Sequence, residues 1–341
     1  MRIFIATDAW RPQINGVVNT YLHIGEQLVR LGHEVEFLTP EDFKTLPLPT
    51  YPEIRLALIR PAHVKQRIEA FRPDYIHIAT EGTIGLATRR YCLRAGRPFT
   101  TSYHTRFPEY LSARMPVPLS WGYALERWFH QPSVSVMVST RSLLDELHEK
   151  GLQRLSLWSR GVDTDMFRPR DVRRFGAEKP VFIYVGRVAV EKNIHAFLDL
   201  ELPGRKVVVG GGPQLNKLQT AYPDVTFTGP LTGETLAEAF ASADVFVFPS
   251  RTDTYGIVLL EAMASGVPVA AYPVTGPKDV VPHGTSGFLH ENLQTAALEA
   301  LSLDRNACRN YALGFSWAAC AEQFLEIAIE GHRLARKSRP T

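Results

Sequence analysis

The chain has 341 residues, 45% of them hydrophobic and 21% charged, with 24 Gly and 24 Pro spread without a short repeat. At about 150 residues per domain this suggests two domains with separate cores, and it excludes a disulfide-stapled miniprotein, a disordered chain and a collagen-like one. Lys+Arg 38 against Asp+Glu 35 leaves a net +3, too little to point to nucleic acid. The charge is unevenly placed, because residues 55–130 hold twelve Lys/Arg and five Asp/Glu, a local +7. Cys92, Cys308 and Cys320 lack the close pairing of a zinc or redox site and read as reduced core thiols of a cytoplasmic protein. The N-terminal apolar run is too short for a signal peptide. The longest apolar stretch, Ile257 to Val274, is broken by Glu261, Gly266 and two prolines, so no membrane span is expected.

Arg2 to Thr7 is a β-branched and aromatic run that reads as a buried strand, followed by a loop with Pro12 and Gly16. From Val17 to Leu31 apolar residues recur at helical spacing, Gly32-His33 stops the pattern, and Val35 to Leu38 resumes as a strand. Further strands are predicted at Tyr75 to Ile78, Phe99 to Tyr103 and Ser135 to Val138, each separated by enough chain for a crossover helix. This predicts a doubly wound parallel sheet over 1–168. The Arg-rich stretch from Arg168 to Pro180 reads as a linker, and a second round follows with strands at Val181 to Val185, Lys206 to Val209, Val225 to Thr228, Val245 to Phe248 and Val267 to Ala270. Helical patterns at Thr235 to Ala243 and Gly256 to Ala264 alternate with them, giving a second α/β domain over 169–314. Ser316 caps an amphipathic helix within 315–341 that is expected to pack back on the first domain. Two such domains bind ligands at their strand carboxyl ends, so a cleft between them is the default site.

The residues suited to chemistry fall in loops after strands. Gly186-Arg187 is followed by Glu191-Lys192, and a guanidinium fork with an ammonium at a strand end suits a diphosphate; a solvated loop with an internal Glu191-Lys192 pair suits the same segment. Val209-Gly-Gly-Gly-Pro213 removes every Cβ where a ligand could approach, Gly212 included, although Leu215 breaks the dinucleotide-binding pattern. The segment from Pro249 to Val269 is the most informative: a loop presents Asp253 and Thr254, a helix opens near Gly256, and Glu261 lies in its second turn. The free amides and positive dipole end of such a helix would receive a phosphate. Eight positions separate the two carboxylates, so they can flank one ligand.

This string resembles the paired-acid motif of retaining nucleotide-sugar glycosyltransferases with the GT-B fold, family 4. Asn15-Gly16-Val17, Gly32-His33, Tyr103-His104-Thr105, Gly161-Val-Asp163 with Phe167-Arg-Pro169, Gly186-Arg187 with Glu191-Lys192, and Ser316-Trp317 match it in order along nearly the whole chain. The first acidic position is usually Glu and here is Asp253, as in the subgroup similar to lipid mannosyltransferases and sulfolipid synthases. The resemblance implies that Arg187 and Lys192 bind the donor diphosphate and assist its departure without a metal or other cofactor. It places Gly16 at the same phosphates from the opposite domain, Glu261 on the ribose hydroxyls, and Asp253 on the hydroxyls of the transferred sugar. The amides around Gly256, Ile257 and Val258 would also meet the diphosphate, Leu231 would lie beside the base, and His104 near the anomeric carbon. Asp163-Thr-Asp165 resembles a metal-binding pair of another glycosyltransferase fold, but within the Gly-Val-Asp motif it reads as structural.

The acceptor is suggested by the +7 region, where Tyr103, Arg106, Tyr110, Arg114, Trp121 and Trp128 combine aromatic and cationic side chains suited to an anionic membrane surface. With the subgroup resemblance this leads to a UDP- or GDP-sugar donor, a lipid acceptor such as diacylglycerol or a phosphoinositide, and a protein held peripherally at the inner face of the cytoplasmic membrane. A soluble saccharide or polysaccharide intermediate is the other acceptor class. A sugar-nucleotide epimerase of the same fold, or a nicotinamide-dependent dehydrogenase, is the alternative outside transferases; against the latter, the loop from Asp8 to Gly16 lacks the expected glycine pattern.

Overall fold

A computed structural model describes residues 1–13, 15–48, 51–112, 118–176 and 180–337. It divides into two compact units, Met1–Ser159 with Trp317–Thr341, and Arg160–Ser316.

The first unit runs β1 (Arg2–Ala6), α1 (Gly16–Arg30), β2 (Glu34–Leu38), a hairpin of β3 (Thr45–Leu48) and β4 (Tyr51–Ala57), α2 (Pro61–Phe71), β5 (Tyr75–Ile78), α3 (Thr83–Arg94), β6 (Thr100–Tyr103), α4 (Phe107–Ser112), α5 (Leu119–His130), β7 (Ser135–Val138), α6 (Arg141–Glu149) and β8 (Leu155–Leu157). Six parallel strands take the order β2-β1-β5-β6-β7-β8. Ile3, Phe4 and Ile5 are buried on both faces of β1, as a strand covered by helices on each side requires. The order reverses direction between β1 and β5, so the loops after these two strands face each other.

Asp8, in the loop after β1, closes that reversal point. Its carboxylate accepts from Ile84 N at 2.8 Å, Gly85 N at 3.1 Å, Thr80 Oγ1 at 3.0 Å and Thr83 Oγ1 at 3.2 Å. It thus caps α3 from another strand, where Gly82 at the cap position has no side chain to offer. Burial pushes the Asp8 carboxyl up, and the four donors oppose that. A Cβ on Gly85 would lie 1.9 Å from Thr80 O, which explains the glycine.

The second unit runs β9 (Val181–Val185), α7 (His195–Leu198), β10 (Arg205–Val209), α8 (Leu215–Ala221), β11 (Thr226–Gly229), α9 (Gly233–Ala241), β12 (Val245–Phe248), α10 (Ile257–Ala264), β13 (Val269–Ala271), α11 (Pro277–Val280), β14 (Gly287–Leu289), α12 (Leu293–Ala300) and α13 (Arg305–Ala312). Its parallel sheet is ordered β11-β10-β9-β12-β13-β14, with the reversal between β9 and β12. Two doubly wound α/β sheets are therefore present, as the strand and helix spacing predicts.

The boundary differs from the predicted residue 168. Val162 and Phe167 belong to the second core, Val162 N donates to Phe315 O at 3.0 Å, and Arg309 Nη1 donates to Phe167 O at 2.7 Å, so the change of unit comes after Ser159. The chain returns to the first unit at Trp317, where α14 (Trp317–Lys337) begins. Trp317 stacks on His23 of α1 at 4.7 Å, Trp158 Nε1 donates to Cys320 O at 3.0 Å, and Phe324 meets the His77 ring edge-on at 4.9 Å. The three cysteines are free and buried. Asp8→Ala would strand two α3 amides in a buried loop; it is expected to lower the unfolding free energy in urea by about 2–3 kcal/mol.

Candidate functional site

In the second unit the loops after β9 and β12 converge. After β9 the chain turns through Gly186 and Arg187 into a short 3-10 turn, Val190–Lys192. Tyr184 Oη donates to Arg187 O at 2.7 Å, Asn193 Nδ2 to Pro249 O at 3.0 Å, and Thr252 Oγ1 to Glu191 O at 3.3 Å, which ties this turn to the β12 loop. Across the join Lys192 Nζ pairs with Asp253 Oδ1. The other carboxylate oxygen, Asp253 Oδ2, is buried and has no hydrogen-bond partner among the described residues. Such an acceptor is costly unless a ligand supplies a donor.

The glycine run beyond β10 has a different reason from the one its sequence suggests. A Cβ on Gly210 would lie 1.9 Å from Gly186 O, and one on Gly212 would lie 2.4 Å from Val188 O. Val188 N donates to Gly211 O at 2.8 Å. These glycines admit the protein's own Gly186–Val188 loop, which a Cβ at either position would displace. Leu231 packs at the edge of the second core. Gly256 is left-handed, φ 82°, and opens α10, whose first residues are Ile257 and Val258. Thr254 lies in the loop between Asp253 and that turn. Glu261 is 8% exposed, and burial pushes its carboxyl up to about 7.

In the first unit His104 follows β6. Its Nε2 lies 2.9 Å from Tyr21 Oη of α1, and the same phenol oxygen lies 2.8 Å from His77 Nε2 of β5. Neither Tyr21 nor His77 stands out in the sequence, since each falls on an apolar face where an aromatic or a histidine reads as core. Gly16 is the first residue of α1, and Asn15 Oδ1 accepts from Val17 N and Val18 N at 3.0 Å each. Those two amides are thereby occupied by the cap.

The expected membrane-facing set divides. Trp121 and Trp128 on α5 are 70% and 50% exposed. Tyr103 is not: it is fully buried among Val136, Val138 and Leu143, because residues 100–103 of this central strand are all covered. Arg106 is taken up by Glu146, at 2.8 and 2.6 Å, with Glu109 3.6 Å away, and so is not a free surface cation. The Tyr110 side chain and Arg114 lie outside the described residues. One further cluster went unnoticed in the sequence. His130 Nε2 lies 3.2 Å from Glu126 and 3.3 Å from Glu81, with ligand atoms of all three within 4.8 Å. Burial lowers the His130 pKa and the two carboxylates raise it, for a net rise, while burial pushes the Glu126 carboxyl up as well.

Two family models match the chain: Glycosyltransferase Family 4 over residues 14–166 and Glycosyl transferases group 1 over residues 179–303. A GDP-mannose-dependent alpha-mannosyltransferase of Mycobacterium tuberculosis is 31% identical over 376 residues, covering 100% of this chain and 98% of its own length. The sulfoquinovosyl transferase of Arabidopsis thaliana is 32% identical over 313 residues, 81% of this chain and 61% of its own. Among solved structures, a sucrose-phosphate synthase from Thermosynechococcus elongatus shares the fold with TM-score 0.78 at 21% identity, over 96% of this chain and 98% of its own. The chain belongs to glycosyltransferase family 4 and has its GT-B fold; it is a glycosyltransferase.

The raised carboxyl of Glu261 sets a sign for stability. A carboxyl whose folded pKa lies above its unfolded value contributes fully below about 4.5, and that contribution is lost as pH rises to about 7. Glu261→Gln is therefore expected to raise the unfolding free energy at pH 8 by up to about 3 kcal/mol, and much less at pH 5, in paired urea titrations.

Proposed function

We propose that the protein transfers a hexosyl unit from a nucleotide diphosphate sugar to a membrane lipid, with retention at the anomeric carbon and without a metal. The buried, unpartnered Asp253 Oδ2 beside the Lys192 ammonium is the observation that carries this reading. A sugar hydroxyl is the donor that this oxygen lacks. Arg187 and Lys192 would neutralise the departing diphosphate, the Ile257 and Val258 amides at the start of α10 would cradle it, Glu261 would hold the ribose hydroxyls, and Leu231 would flank the base. The family resemblance adds Gly16 and His104, both in the first unit, to the proposed set.

The proposed site holds one carboxylate beside the sugar, Asp253, and that carboxylate is committed to Lys192, so a double displacement with a nucleophile and a separate acid is disfavoured. The reading is a front-face reaction. The bond from C1 to the diphosphate oxygen breaks, the acceptor oxygen bonds C1 on the same face, and its proton passes to the departing phosphate oxygen. Relatives that use GDP-mannose support trying that donor first among GDP- and UDP-sugars. Lys192→Ala is expected to lower kcat by about 10²–10³ while leaving the far-UV circular dichroism unchanged. Chelator should leave turnover intact; loss of turnover that magnesium or manganese restores would overturn the metal-free reading.

A lipid acceptor is supported by the surface of α5, where Trp121, Leu125 and Trp128 are 70%, 49% and 50% exposed along one helix face. Arg89 of α3 stacks on Trp128 at 4.1 Å, which keeps that indole at the surface. A relative named as an alpha-monoglucosyldiacylglycerol synthase points the same way. Among the described residues no helix is long and apolar enough to cross a membrane, so the attachment would be peripheral, at the cytoplasmic leaflet. The wild-type chain is expected to sediment with anionic phospholipid vesicles at low salt, and the Trp121→Ala/Trp128→Ala double variant to bind about thirty-fold less, each lost indole removing roughly 1 kcal/mol of interfacial contact. Absence of wild-type binding would favour a soluble saccharide acceptor.

A further inference from the structure

The Glu81–Glu126–His130 cluster of the first unit has no part in the transfer reaction proposed above. Glu126 and His130 stand one turn apart on α5, each 2% exposed, and Glu81 reaches them from the loop after β5. A carboxylate buried to this degree needs a cation or several donors. Yet Glu126 Oε2 and His130 Nε2, 3.2 Å apart, make no hydrogen bond to each other or to any other group among the described residues. The opposite edge of the imidazole is accounted for, since Nδ1 lies 2.9 Å from Thr101 Oγ1 of β6. A third polar atom is left over beside them. Tyr103 is fully buried, and its hydroxyl has no partner among the described residues. Its ring centroid lies 6.1 Å from that of His130, and after burial itself Glu126 is the group that pushes its phenol up most.

The spacing is that of ligands around one ion. Two ligand atoms bonded to zinc at about 2.0–2.1 Å stand about 3.3–3.4 Å from each other at the tetrahedral angle. His130 Nε2 is 3.2 Å from Glu126 and 3.3 Å from Glu81, and no pair among the three ligand atoms exceeds 4.8 Å. The Glu81 side chain is 28% exposed, so it is free to turn toward the other two and leaves a path by which an ion can enter. Two carboxylates and a neutral imidazole carry two negative charges, which a dication cancels and a single proton does not. Thr101 is the outer partner that a ligating histidine requires: accepting from Nδ1–H, it presents a bare Nε2 to the ion. One imidazole nitrogen with two carboxylate oxygens suits zinc, whereas magnesium and calcium favour oxygen ligands alone.

We propose that Glu81, Glu126 and His130 bind a zinc ion, with a water in the fourth position held by the Tyr103 hydroxyl. The ion joins α5 to the loop after β5, and Thr101 and Tyr103 support it from β6, so it braces the helix that carries Trp121 and Trp128. Its role is structural, because ligands drawn from three separate segments come together only in the folded chain and zinc binding then adds to stability. Arg187, Lys192 and Asp253 lie in the second unit, so a zinc ion here leaves the metal-free reading of the transfer step as it stands.

The test takes the full chain, stripped with chelator and dialysed, and titrates it with zinc chloride. One zinc per chain is expected by elemental analysis, with micromolar or tighter affinity, a Tm raised by about 5 °C or more at saturation, and an X-ray absorption spectrum showing one imidazole nitrogen among oxygen ligands. Millimolar magnesium should leave Tm unchanged. Glu81→Gln is expected to weaken zinc binding about ten-fold or more, and Glu126→Gln or His130→Gln to abolish stoichiometric uptake. His148→Ala, at an exposed histidine of α6, should leave uptake as in the wild type, which separates the cluster from surface binding. Absence of stoichiometric uptake, uptake that Glu81→Gln and Glu126→Gln leave unchanged, or a spectrum with two or more imidazoles overturns the proposal. If Glu126→Gln does not fold, Glu81→Gln, at a partly exposed side chain, carries the test alone. None of these readouts uses turnover, so their failure leaves the transfer reading untouched.

Discussion

The second unit depends on one ion pair set at the reversal point of its sheet. Parallel strands β9 and β12 are neighbours, but the chains leaving them cross to opposite faces, so their loops part as they leave the sheet. Lys192 and Asp253 close that gap, and Asn193 and Thr252 add two neutral hydrogen bonds to the closure. A partly exposed pair of this kind adds little stability by itself. Beside it lies Asp253 Oδ2, a buried carboxylate oxygen without a hydrogen-bond donor among the described residues. Ligand recognition then needs little rearrangement, because the protein has already ordered the groups that would meet the ligand.

The first unit meets a similar constraint with neutral groups. Asp8 closes its reversal point by capping α3, so a carboxylate that could have served chemistry is spent on structure. Near His104 lie the Tyr21 hydroxyl and, beyond it, the His77 ring, with Phe324 of α14 and Trp158 packed against them. Buried neutral networks are specific because each donor must find an acceptor, and one missing hydroxyl changes the whole pattern.

The sheets were legible in the sequence because buried parallel strands are written as short β-branched runs, and Val181–Val185 and Tyr75–Ile78 are read to the residue. Three elements were not. The β3–β4 hairpin carries Pro47 and Pro52, which argue against strand in any reading by propensity, and β8 and β14 are three residues each. The donor-side residues were legible because they follow strands in a compact, unusual string. The close approach of the Gly186–Val188 backbone to Gly210 and Gly212 is not legible, since a glycine needed for a neighbouring backbone and one needed for a ligand look the same in one dimension. Tyr21 and His77 are not legible for another reason, since their partners come from distant segments that only the fold brings together; Glu126 and His130 are neighbours on α5, but Glu81 joins them from the loop before α3.

The local +7 of residues 55–130 overstates the charge available to a membrane. Arg67 is bound by Glu36 and Asp42, Arg106 by Glu146, and Arg89, Arg97 and Arg127 by backbone carbonyls. Arg90 and Arg94 on α3, by contrast, are exposed on the helix that supports Trp128, with Leu86 and Leu93 exposed beside them. At about 1 kcal/mol for each cation near an anionic surface, such a pair gives an attraction that physiological salt can largely screen. The exposed indoles of α5 must then supply most of any lasting contact, and indole insertion is insensitive to salt. A surface built this way would sample membranes quickly and hold them weakly, as the proposed lipid acceptor would require.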